Sequence, residues 1–160
     1  MEPAVSNGRS SDFPPLRGWG VNFEDKPHVL VVDDNQANRA VAGAFCSLFG
    51  CTHNFATDGL DAVEAVRGQR YDLVLMDIQM PRMDGIEAAQ AIRALPLPWS
   101  DVPIVALTAN VEREDVAAYL ACGMSGAVGK PLEPGRLLKA MSAALHATND
   151  DLLGWRPAVA

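Results

Sequence analysis

Five strand-like runs, each followed by a helix-like run, predict a doubly wound α/β fold around a parallel sheet. Three observations carry this prediction. The first, third and fourth strand runs are apolar throughout rather than alternating, as strands buried on both faces are. Helical periods separate the strands. Gly, Pro and Asp punctuate the junctions. Such alternation over about 120 residues implies helices on both sheet faces and right-handed crossovers.

Residues 1–27 precede the pattern and read as a flexible tail, broken by Ser, Gly and Pro. Phe13, Trp19, Val21 and Phe23 are unusual in a solvated leader, and docking of this segment on the domain or a partner is the alternative. The first strand is expected at 29–32. A helix follows with Asn35 as N-cap and Ala37, Val41, Ala44, Phe45 and Leu48 along its apolar face, and Gly50 ends it. Residues 51–55 form a weaker strand, nearer an edge. Asp58-Gly59 turns into a short helix with Leu60, Val63 and Val66 inward.

The third strand, 73–76, delivers Asp77 at its carboxyl end. Pro81 and Asp84-Gly85 then break the chain before a helix with Ile86, Ala89 and Ile92 inward. Pro96, Pro98 and Trp99 mark a loop, and 104–107 is the fourth strand, ending at Thr108. A helix at 111–121 carries Val116, Tyr119 and Leu120, and Gly123 closes it. Ala127 and Val128 are the centre of a short fifth strand. After Lys130-Pro131 comes a final helix with Leu137, Leu138, Met141 and Leu145 inward. The domain is expected to span 28–147, with 148–160 as a C-terminal tail.

Composition excludes several classes. The 160 residues fit one domain, and a net charge of −7 with no basic cluster argues against a grip on nucleic acid. No apolar run is long enough to span a bilayer, and the start lacks a secretory pattern, so a cytoplasmic protein is expected. Cys46, Cys51 and Cys122 lack metal-binding spacing and read as free thiols.

Sites in open α/β sheets form outside the carboxyl ends of the strands. Asp33-Asp34, Asp77, Thr108 and Lys130 all fall there. Singly, each has an ordinary explanation: adjacent acids on a loop are solvated, a lone Thr suits a strand by shape, and a lone Lys is surface charge. Together they form a set. Neighbouring carboxylates need a cation, and Mg²⁺ takes oxygen ligands, one or two carboxylates and a phosphate. Asp77 would be a carboxylate nucleophile at phosphorus, with the donor's charge neutralised by the ion. The Thr108 hydroxyl and Lys130 ammonium would hold phosphoryl oxygens.

The motifs VLVVDDN at 29–35, LMDIQMPRMDG at 75–85, IVALTAN at 104–110 and Lys130-Pro131 resemble the receiver domain of two-component response regulators. The resemblance covers residues 28 to about 147 and is nearest to receivers attached to hybrid sensor kinases or standing alone. It implies a flavodoxin-like (βα)5 fold with sheet order 2-1-3-4-5. It implies phosphoryl transfer from a phosphohistidine, on a histidine kinase or histidine phosphotransfer protein, to Asp77. Asp34, Asp77 and the backbone carbonyl of Gln79 would bind Mg²⁺, with Asp33 acting largely through water. Thr108 and Lys130 would hold the phosphoryl oxygens, and Lys130-Pro131 would be cis. The only catalysis implied is self-phosphotransfer and self-dephosphorylation. Gln79 and Asn110 occupy positions that tune water access.

One position departs from the pattern. Many receivers carry Tyr or Phe three residues before the lysine, paired with the threonine, and here Ala127 stands there. With about a dozen residues after the last helix, output is expected through protein contact or onward phosphotransfer. Two competing classes are a Mg²⁺-dependent phosphatase acting through an aspartyl-phosphate and an unphosphorylated scaffold. The first lacks an Asp-x-Asp nucleophile arrangement and a cap domain. The second rests on Ala127 alone.

Overall fold

The computed structural model describes residues 26–109 and 112–153. Five strands, β1 (His28–Val32), β2 (Thr52–Ala56), β3 (Leu73–Asp77), β4 (Ile104–Thr108) and β5 (Gly126–Gly129), form one parallel sheet in the order β2-β1-β3-β4-β5. That is the expected topology. Register runs Val32 opposite Ala56 and Met76, and Asp77 opposite Leu107. The central strands therefore end together, and β3 runs one residue further than expected, through Asp77.

Five helices cover the sheet: α1 (Gln36–Leu48), α2 (Gly59–Gly68), α3 (Gly85–Arg93), α4 (Arg113–Ala121) and α5 (Pro134–Leu153). The apolar strands feed two cores, because alternate residues point to opposite faces. Val29, Val31, Leu73, Leu75, Val105 and Leu107 pack against α1 and α5. Leu30, Val32, Val74, Met76, Ile104 and Ala106 pack under α2, α3 and Tyr119 of α4. β2 is an edge strand, as β5 is, and Phe55 is 47% exposed, which accounts for the weak apolar signal of β2.

Caps set the helix starts. Asn35 accepts from the Asn38 amide, Asp58 from the Asp61 amide, and Asp84 with Glu87 forms a reciprocal capping box. At α4 the N-cap is Glu112, whose side chain caps no amide. α1 and α4 end alike. Gly50 (φ 88°) and Gly123 (φ 103°) take the left-handed conformation, and the next amides, Cys51 and Met124, return to the Cys46 and Tyr119 carbonyls. Arg93, at the end of α3, donates to the carbonyls of Gly123, Ser100 and Val102 at 2.9, 2.8 and 2.7 Å.

Several helix details differ from the sequence expectation. The buried face of α1 is Ala42, Gly43 and Cys46, while Val41 and Leu48 are exposed and only Phe45 of the expected stripe is partly covered. The helix is apolar on two sides, and its small residues win the sheet side because they allow a close approach. A Cβ on Gly43 would sit 2.9 Å from the Phe55 ring. In α2, Ala62 and Val66 are buried and Leu60 is exposed. α3 and α5 bury the expected residues, except that Ile86 is only partly covered. α4 begins at Arg113, with 110 and 111, and hence the Asn110 expectation, outside the described residues. α5 continues to Leu153, past the boundary placed at 147. The tail expectations for 1–25 and 154–160 also fall outside the described residues. Cys46, Cys51 and Cys122 are free thiols. No helix among the described residues is long and apolar enough to cross a membrane.

Candidate functional site

The acids are placed by backbone geometry. β1 delivers Asp33, whose amide donates to the Ala56 carbonyl. Its Oδ1 accepts from the Asn35 amide at 2.9 Å and from the Asn38 carboxamide at 3.4 Å. Arg39 donates to its backbone carbonyl at 2.8 Å. Asp33 is thus buried and held from three sides, while Asp34 beside it is exposed and lines the cleft.

Asp77 ends β3, and the Ile78 amide donates to the Leu107 carbonyl at 3.1 Å. The Gly85 amide returns to the Ile78 carbonyl at 2.8 Å, bringing the first residue of α3 against the strand end. A Cβ at Gly85 would overlap the Asp77 carbonyl oxygen. Gly85 is therefore required by close approach rather than by an unusual φ.

Asp33, Asp34 and Asp77 bring one carboxylate oxygen each to within 4.8 Å of one another. Lys130, just after β5, reaches into this cluster. Its Nζ donates to Asp77 Oδ1 at 2.9 Å and to Asp33 Oδ2 at 3.2 Å. The Lys130 amide donates to the Thr108 carbonyl at 2.8 Å, so the two strand ends are tied together. Thr108, Gln79 and Ala109 complete the cleft, about 290 Å³ in volume. Lys130-Pro131 is cis, as expected, and Leu97-Pro98 is cis as well.

Electrostatics follow from burial and like charge. Burial pushes the Asp77 carboxyl above its ordinary range; the Lys130 hydrogen bond opposes this and the Asp33 charge adds to it. Burial alone would lower Lys130, but its bond to Asp77 and the charges of Asp77 and Asp33 outweigh burial and raise it. Lys130 is therefore a firmly charged ammonium facing a crowded acid cluster.

The family model of the response regulator receiver domain matches residues 29–142. The chain belongs to this family. It is a receiver domain of two-component systems. It is 39% identical over 120 residues to the transcription factor SKN7 of Candida albicans, covering 75% of this chain and 21% of that protein. It is 38% identical over 125 residues to the autoinducer 2 sensor kinase/phosphatase LuxQ of Vibrio cholerae, covering 78% of this chain and 14% of that protein. This chain therefore spans about a fifth or less of these relatives' length. Among solved structures, the receiver domain of the Pseudomonas aeruginosa sensor histidine kinase PA1611 superposes with TM-score 0.69 at 34% identity. The match covers 76% of this chain and 98% of that one, and that receiver holds a magnesium ion in its active-site cleft. Vibrio cholerae chemotaxis protein CheY4 superposes with TM-score 0.69 at 30% identity, covering 75% and 99% of the two chains.

The receiver fold brings Asp33, Asp34, Asp77, Thr108 and Lys130 to one end of the sheet, and Gln79 lines the same cleft. Sequence reasoning assigned Asn35 a capping role, which it has, but passed over Asn38 and Arg39 as supports of Asp33. Their positions three and four residues past the cap, on the helix turn facing the strand end, were the available signal. It also passed over Tyr119. Its hydroxyl lies 3.1 Å from Thr108 Oγ1, with both residues buried. Nothing in an eleven-residue separation between a strand and a short helix announces that contact.

Proposed function

We propose that Asp77 accepts a phosphoryl group from a phosphohistidine on a histidine kinase or histidine phosphotransfer protein, as one step of a two-component or phosphorelay pathway. The observation that carries this reading is the cluster of three carboxylate oxygens within 4.8 Å, bridged by the Lys130 ammonium. Such a cluster is costly without cations.

The donor set fits Mg²⁺, because all three side chains offer hard oxygen ligands and the cleft leaves room for water. Asp34, Asp77 and the Gln79 backbone carbonyl would hold the ion directly. Asp33 is buried and already accepts from the Asn35 amide and Lys130, which suits a part played through water. When bound, the ion offsets charge on the acids and on the transferring phosphoryl group.

The chain's own residues do the rest. An Asp77 oxygen attacks phosphorus in line with the histidine nitrogen. The P–O bond forms as the P–N bond breaks, and the imidazole leaves and takes up a proton. Lys130 turns one of its three N–H donors from Asp77 to a phosphoryl oxygen while keeping Asp33. Thr108 donates its hydroxyl to a second oxygen. Water attack at phosphorus later restores the carboxylate. Signal output is by protein contact or onward transfer in the cytoplasm, without nucleic-acid contact by this domain.

The scaffold reading rests on Ala127, and the Tyr119 hydroxyl 3.1 Å from Thr108 Oγ1, an aromatic partner from α4, weighs against it. Exposed Ala37, Ala40 and Val41 on α1 and Pro131 beside the cleft suit docking of a histidine-bearing helix. Ala40→Glu is expected to slow transfer from a phosphorylated histidine partner at least several-fold; an unchanged rate removes this surface from the reading.

The test of the main reading is intact mass after incubation with Mg²⁺ and acetyl phosphate. A single phosphate adduct is expected in the wild type and none in Asp77→Asn or without Mg²⁺. An adduct that persists in Asp77→Asn overturns the assignment. If no wild-type adduct accumulates, Mg²⁺-dependent binding of beryllofluoride distinguishes rapid hydrolysis from an inert site.

A further inference from the structure

Among the described residues, Thr108 carries the one side-chain hydroxyl that lines the cleft beside Asp77, and that hydroxyl is already engaged from behind. Tyr119, the one buried side chain among the described residues of α4, places its OH 3.1 Å from Thr108 Oγ1. The tyrosine ring sits in the core cluster with Ile104, Ala106 and Met124, so its position is fixed by packing. On the same face of the sheet, β5 contributes only the small side chain of Ala127 to this cluster.

A threonine hydroxyl has one proton to donate and lone pairs to accept with. If Thr108 donates to Tyr119, it has no proton for an oxygen in the cleft. If Tyr119 donates, the Thr108 proton is released to point into the cleft. A phenol is a far stronger acid than an alcohol and the better donor of the two, which favours the second arrangement. A chain running phenol to alcohol to anionic oxygen also polarises each of its links.

We propose that Tyr119 is a positioning residue for the phosphorylation site. Its hydroxyl donates to Thr108 Oγ1, orients the Thr108 proton toward the phosphoryl group on Asp77, and so couples the placement of α4 to the state of the site. The aromatic partner of the threonine thus comes from a helix rather than from the strand position held by Ala127. α4 is suited to respond, because its N-cap side chain caps no amide and Leu120 beside Tyr119 is 49% exposed. This inference rests on the reading of Asp77 as phosphoacceptor.

The test is a double-mutant cycle on beryllofluoride affinity in Mg²⁺, using the full chain, Tyr119→Phe, Thr108→Ala and the double variant. Tyr119→Phe keeps the ring and removes only the oxygen. Losing one hydrogen bond to the site is expected to weaken beryllofluoride about five-fold in the wild-type background. In the Thr108→Ala background the same substitution is expected to have no further effect, because the group it orients is gone. Hydrogen exchange supplies a second readout. Beryllofluoride is expected to change amide protection across 113–121 in the wild type, and that change should be lost in Tyr119→Phe. Equal affinity in Tyr119→Phe and wild type, or an equal loss in both backgrounds, overturns the proposal and leaves Tyr119 as core packing. Failure of the wild type to bind beryllofluoride, or unchanged binding in Asp77→Asn, sinks the phosphoacceptor reading itself, and this inference with it.

Discussion

The half of the sheet that carries the acids is built differently from the half that carries Thr108 and Lys130. On the acid side, α1, α2 and α3 each start at a side-chain cap, and Asp33 is held by Asn35, Asn38 and Arg39. Gly85 lets α3 press directly on the Asp77 backbone. On the other side, β5 is a four-residue strand of Gly, Ala and Val, and α4 lacks a capping side chain. The difference follows from what each side must do. Carboxylates packed within 4.8 Å repel one another, so their backbone has to be fixed before any cation arrives. In the proposed reaction Thr108 and Lys130 serve a group that comes and goes, which calls for a side able to shift.

The sharpest way to break this contrast is Gly85→Ala. The added methyl overlaps the Asp77 carbonyl and must displace either β3 or α3. Such overpacking is expected to cost about 2 kcal/mol in urea unfolding. Phosphate uptake from acetyl phosphate should fall at least ten-fold in protein that remains folded. A variant with wild-type stability and uptake would show that the acid side is not rigid.

A smaller effect comes from the caps. Asp84→Ala removes half of the capping box and is expected to cost about 1 kcal/mol. Glu112→Ala at the corresponding place in α4 removes no capping hydrogen bond and is expected to cost less than Asp84→Ala. Equal losses in urea unfolding would erase the proposed difference between the two helices.

The smallest effect is in the acid limb of stability. Asp58 accepts from the Asp61 amide, which holds its carboxyl below the ordinary range; burial opposes this, and Arg82, whose Nε donates at 2.8 Å, adds to the lowering. A depressed folded-state pKa gives a contribution that is complete above the ordinary carboxylate pKa of about 4 and lost as pH falls through the folded value. Asp58→Asn should therefore lie below wild type in stability at neutral pH and converge with it in acid. Parallel curves over that window would rule out the carboxylate as the source.

The sequence disclosed most of the fold and the core of the site for one physical reason. A strand buried on both faces must be apolar along its whole length, so a polar residue at its end stands out, as Asp33, Asp77 and Thr108 do. Helix faces were less legible. α1 carries apolar residues on both sides, and periodicity cannot tell which side meets the sheet. The close approach of Gly43 to Phe55 decides it, and that depends on a residue twelve positions later, in β2. The Thr108–Tyr119 contact was illegible for a related reason. It joins two elements through a side chain whose apolar body reads simply as core.

The clasp made by Arg93 has a mechanical meaning. It grips the Gly123 carbonyl just beyond the C-terminal end of α4, while the N-terminal end has no side-chain cap. A helix pinned at one end is a lever. With about 1.5 Å of rise per residue, Tyr119 stands roughly 6 Å from that fulcrum and Arg113 roughly 15 Å from it. A small displacement at the tyrosine would reach the N-terminal end of α4 about two and a half times larger, on the rim where a partner could feel it.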